Sequence, residues 1–195
     1  MTSGEVPADA EAFLSELLRR LQASTLRRLE QITPETLTWL LHPGSHTIGA
    51  IIWHLSRRVD LFGAVVLPVG RRSEQHWIRD GWASATGRGG ANDRDDERDL
   101  ADFTALELAS IPQMDAAELA TYHRSAMGTL ADRVRAETPV TLERPLAVAG
   151  LQLTRYRHIL RFALTGSHAI GEIDALLSLE GRARDTESDR TGSGA

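Results

Sequence analysis

Apolar positions recur at three and four residues in four long stretches of the chain, the spacing that puts one face of a helix in a core. Phe13, Leu14, Leu17, Leu18 and Leu21 mark the first, over about Ala8 to Ile32. Ile48, Ile52, Leu55, Val59, Phe62 and Val66 mark the second, which begins near Ser45 after the turn signal His42-Pro43-Gly44. Leu119, Tyr122, Ala126, Leu130 and Val134 mark the third, over about Ala116 to Ala136. Ile159, Phe162, Ala163, Ile170, Ile173 and Leu177 mark the fourth, over about Thr154 to Leu179. A shorter helix, Leu100 to Ser110, is predicted to lead into the third.

Between the second stripe and that shorter helix the periodicity lapses. Gln75 to Trp82 carries two tryptophans and is expected to be partly covered. Thr86 to Asp99, rich in Gly, Asp and Arg, reads as a solvated loop. Thr138 to Gly150, with Pro139 and Pro145 among alternating apolar residues, predicts a short extended piece. Strand signals are otherwise nearly absent, which disfavours α/β folds. The expected fold is all-α: a four-helix bundle with crossover connections over residues 8–181, followed by a disordered tail over 182–195.

Composition narrows the chemistry. At 195 residues and 42% hydrophobic content, one domain with a full core is the simplest reading. The absence of cysteine excludes disulfides, thiolate metal sites and a cysteine nucleophile. All 22 basic residues are arginine, which excludes a Schiff-base lysine. A net charge of -5 disfavours nucleic acid as a partner. Neither a signal peptide nor an apolar run of membrane-spanning length is seen, so a cytoplasmic location away from membranes is the default.

The remaining candidates are histidines. His42 and His46 have helical ligand spacing, but Pro43-Gly44 intervenes. His46 and His54 would stand roughly 12 Å apart, and His158 and His168 roughly 15 Å, too far to share an ion. Any metal site must therefore be assembled between helices. His54 lies at the flank of the second stripe, placed as a metal ligand or general base. His123 lies on the apolar face of the third helix. His168 lies half a turn from the fourth stripe, on the side of Arg157, Arg161 and Glu172. Glu172, one turn beyond, could hydrogen-bond His168 or help hold an ion. Against these roles stands the plain alternative that a histidine near a core face is hydrogen-bonded structure. Trp53, Trp77 and Trp82 are expected to pack rather than stack on a cofactor. Arg57 and Asp60, three apart, suit a local ion pair on a solvated face. No phosphate loop, nucleophile elbow or His-Glu-x-x-His motif is present.

The run Ile48-Gly49-Ala50-Ile51-Ile52-Trp53-His54-Leu55-Ser56-Arg57 is followed by Asp60, Gln75-His76-Trp77 and Gly81-Trp82. Tyr122-His123 and Gly171-Glu172-Ile173-Asp174-Ala175-Leu176 come later. Taken in order, these segments resemble the DinB-like superfamily, over about residues 10 to 180. The resemblance implies a four-helix bundle, often a homodimer. It implies one divalent metal, commonly nickel or zinc, held by one histidine of the second helix and two of the fourth. It also implies a small-molecule ligand, since relatives include transferases and isomerases that use the low-molecular-weight thiols mycothiol or bacillithiol. His54 matches the second-helix ligand. Aligned on Gly171-Glu172-Ile173, the other two ligand positions fall at Thr165 and Ala169; aligned on His168, its partner falls at Leu164. The histidine triad is incomplete in either register, so His123, His168 or Glu172 would have to complete a metal shell around His54. Two readings follow: a metal-dependent transferase or hydrolase acting on a thiol adduct, with His54 as ligand or base, or a metal-free small-ligand-binding or stress-related dimeric bundle.

Overall fold

The computed structural model describes residues 6–89, 94–148 and 150–192. Each of the four periodic stretches is a helix. The first is α1 (Ala10–Leu29), which turns through a short α2 (Pro34–Thr38) toward the second. The second, α3, spans Ile48–Leu61, with the Thr47 hydroxyl capping its first turn by accepting from Ala50 N at 3.0 Å. It runs on as a π-helical turn, Phe62–Val66. Two short helices follow, α4 (His76–Arg79) and α5 (Trp82–Thr86).

The expected Leu100 to Ser110 helix is interrupted. Leu100–Asp102 is a 3-10 turn, and α6 covers only Ala105–Ala109. The break falls at Thr104, whose hydroxyl and whose partner Glu107 form a capping box that restarts the helix. The third stretch is α7 (Ala116–Arg135), capped in the same way by Asp115 and Glu118. After α8 (Pro139–Leu142), the extended piece forms a hairpin, β1 (Pro145–Val148) with β2 (Leu151–Thr154), antiparallel in the register Pro145 to Thr154 and Val148 to Leu151. The fourth stretch, α9, runs from Arg155 to Gly192, past Gly181 where the pattern places the tail; residues 193–195 lie outside those described, as do 90–93 of the Thr86 to Asp99 loop.

The four long helices close a ring in which α1 packs on α7 and α9, and α3 packs on the same two. Leu14, Leu18, Ile52, Val59, Leu130, Val134, Ile159 and Ile173 fill its centre. Close approach needs a glycine where the π turn meets α7. A Cβ on Gly63, in the π turn, would stand 3.0 Å from the backbone N of Leu130 on α7. No described helix is long and apolar enough to cross a membrane.

Candidate functional site

α3 is buried on nearly every side, so each of its polar residues must find a partner in a different neighbour. Asp60 is fully buried and accepts three hydrogen bonds: from His76 N at 2.9 Å, Trp77 N at 2.8 Å and the Tyr122 hydroxyl at 3.1 Å. It thereby caps the first turn of α4 from outside. Burial pushes its carboxyl above the usual range, opposed by those same hydrogen bonds. Burial also raises the Tyr122 phenol well above its ordinary value.

Arg57, also fully buried, lies 5.1 Å from the ring centre of Trp77 and reaches Asp96 at 3.4 Å. Asp96 accepts as well from Gln75 Nε2 at 2.7 Å and from Arg72 at 3.1 Å. Trp77 itself stands edge-on to Trp53 at 5.8 Å and tilted against Tyr122 at 5.1 Å. Two expectations are thus corrected. Arg57 does not pair with Asp60, although the spacing allows it, because the two side chains leave α3 toward different elements. The loop carrying Asp96 is not wholly solvated, because Asp96 is drawn into the core as the counter-ion of Arg57 and Arg72.

The flank of α3 bearing His54 faces α9 across a cleft of about 200 Å³. His46, His54, Thr165, His168, Ala169 and Glu172 all line it. The His54 ring is buried, sits edge-on to Phe103 at 5.7 Å, and donates from Nε2 to the carbonyl of Arg98 at 2.8 Å. Burial lowers its pKa to about 4, against the pull of that carbonyl, so the ring is neutral near pH 7.

The other candidates do not gather around His54. His123 is fully buried on the α7 side of α3 and does not line the cleft. Ser56 donates to Ile52 O at 2.7 Å, so His123 Nδ1–H donates to Ser56 Oγ at 2.9 Å. Nε2 of His123 is then a bare acceptor in apolar surroundings, with no hydrogen-bond partner. Burial holds its pKa at about 4 as well. Glu172 accepts from His46 Nδ1 at 3.1 Å, not from His168 one turn away. His168 is exposed on the cleft rim and has no hydrogen-bond partner among the described residues.

The cleft distinguishes the two registers. Thr165 and Ala169 line it opposite His54, whereas Leu164 is 56% exposed and does not. At these two positions a three-histidine centre would need imidazoles. Ala169 has no donor atom, and the Thr165 hydroxyl is committed to the carbonyl of Arg161 at 3.0 Å. Among the described residues, no group of three or more His, Asp or Glu side chains is placed to hold an ion. The residues present do not fit the three-histidine centre.

One further arrangement escaped sequence reasoning. Thr129 Oγ1, His76 and Asp80 form a chain, with His76 Nε2 2.8 Å from the hydroxyl and Nδ1 2.6 Å from the carboxylate. That is the connectivity of a hydrolase triad. Thr129, however, lies inside α7, whose backbone N–H groups are engaged within the helix and offer no oxyanion site. The chain ties α4 to α7. The sequence offers only the i, i+4 spacing of His76 and Asp80 as a sign of it, because Thr129 is remote along the chain.

A family model described as the DinB superfamily matches residues 17–167 of the chain. No curated protein matches it.

Proposed function

Because the chain belongs to the DinB superfamily, we propose that it is a small-molecule-binding member of that superfamily whose cleft works without a three-histidine metal centre. One observation carries this reading: Thr165 and Ala169 face His54 across the cleft. A divalent ion is retained by about three protein donors with a position left open. Three imidazoles border the cleft, but His168 stands exposed on the rim, His46 is bound to Glu172, and the Nε2–H of His54 is already given to the Arg98 carbonyl. A neutral ring engaged in that way is also a weak general base near pH 7. The cleft therefore binds and shapes, with His54 fixing the 98–103 segment over the edge of α3. Assembly as a homodimer, which the resemblance implies, belongs to the same proposal.

The second reading is a nickel- or zinc-dependent transferase or hydrolase acting on a thiol adduct. It draws on the fact that His46, His54, His168 and Glu172 line one cleft. Metal content separates the two. Protein purified without chelator from medium supplemented with nickel and zinc should carry well under one ion per chain by plasma mass spectrometry. One tightly held ion per chain would overturn the first reading in favour of the second.

A further inference from the structure

The cleft at His54 continues along α9 into a larger cavity of about 560 Å³, and Arg58 and Thr165 line both. This volume falls within the range of small-molecule sites, which are mainly apolar with a few placed polar groups. Its floor is the stacked pair Phe62 and Phe162, 5.8 Å apart and 10° from parallel. Val148 and Leu151, flanking the hairpin turn, also line it. The hairpin is tied to α9 by His158, whose Nε2–H donates to Leu146 O at 2.9 Å. Phe62, Val65 and Val66 reach the cavity from the π-helical turn, a departure from regular α-helix that is often found at functional sites.

The charges on the wall are uneven. Arg58 is paired with Asp99 at 2.7 Å, Arg94 with Glu97 at 2.7 Å, and Arg72 with Asp96 and Glu97. Arg161 is the exception. It lines the same cavity next to Phe162, yet among the described residues its guanidinium has no hydrogen-bond or ion-pair partner. An unneutralised guanidinium beside the Phe62–Phe162 side of a cavity whose other charges are paired, in a chain of net charge -5, is a local site for a planar oxyanion.

Resting on the reading above that the ligand is a small molecule, we propose that this cavity binds an organic carboxylate with an aromatic or branched apolar body. The body lies on Phe62 and Phe162 under the hairpin, and the carboxylate is taken by Arg161.

The test is calorimetric titration of the full chain with 2-naphthoate and with the uncharged 2-naphthalenemethanol. Naphthoate should bind with one site per chain and more tightly than the alcohol. Arg161→Gln should weaken naphthoate roughly tenfold or more while leaving the alcohol unchanged, as expected for loss of one charge-assisted contact. Val66→Trp, which fills the cavity, should abolish both. Arg161 is exposed, so its variant tests the idea even if Val66→Trp fails to fold. Absence of saturable naphthoate binding would overturn the proposal. So would equal affinity for the two probes, or an unchanged naphthoate affinity in Arg161→Gln. Stoichiometric metal together with the predicted Arg161→Gln effect would overturn the metal-free reading alone.

Discussion

The two polar flanks of α3 carry residues of similar type to opposite ends. On the Trp77 flank, Arg57 and Asp60 are fully buried, and their partners Asp96 and Tyr122 are buried with them, as is Gln75, which donates to Asp96. On the α9 flank, Arg58 pairs with Asp99 at the rim, while His54 lies beside a cleft whose other wall offers a threonine and an alanine. The difference teaches that the Trp53-His54…Arg57…Asp60 pattern and the Gln75-His76-Trp77 connection belong together chiefly because they fold together. Asp60 holds the start of α4, and α4 holds Trp77 against Arg57. A chain can keep that pattern and still change the residues that face the cleft.

The contrast can be broken hardest at Asp60. Asp60→Ala would leave two backbone N–H groups and a phenol buried without an acceptor, at about 1–3 kcal/mol each. A loss of roughly 3–5 kcal/mol is expected in urea denaturation, with the Trp77 environment disrupted in near-ultraviolet dichroism. A loss below 1 kcal/mol would show that the Trp77 flank is not what holds this end of the bundle.

Acid gives the next largest effect. His54 and His123 have pKa values of about 4 in the folded chain, below the ordinary 6.5. Unfolding therefore takes up protons between those values. Stability is full above pH 6.5 and falls as the pH drops toward 4, by about 2 kcal/mol per ring at pH 5. Denaturation midpoints measured from pH 7.5 to 4.5 should show this slope, and His123→Gln should remove about half of it. A flat profile would mean that the rings are not buried as described.

The smallest effect is expected at His54. His54→Gln keeps a donor for the Arg98 carbonyl, so it should cost less than about 1 kcal/mol and leave naphthoate binding intact. A loss of ligand binding with unchanged stability would give His54 a direct role and narrow the difference between the flanks.

The four core stripes were legible because Ile52, Leu130 and Ile173 repeat at helical spacing and are buried as their spacing requires. The restart of the helix at Thr104 was legible in principle from the Thr104–Glu107 spacing. The partners of the polar residues were not. Arg57 has a carboxylate three residues away and another 39 residues away, and local spacing favours the first while packing selects the second. Asp96 sits among Gly, Asp and Arg residues whose composition reads as solvent-facing; only the tertiary approach of Arg57 and Arg72 buries it. Glu172 was matched to His168 by helical spacing, but His46 reaches it from the segment preceding α3. The position of Arg161 beside a cavity depends on the hairpin folding over α9, which no local pattern encodes.

The central claim, that Thr165 and Ala169 occupy the places where a metal centre would need ligands, is tested most directly by restoring them. Thr165→His combined with Ala169→His should convert a chain carrying well under one ion into one carrying close to one nickel or zinc per molecule, measured on both proteins purified side by side. An unmodified chain already holding one ion, or a double variant that folds and holds none, would contradict it.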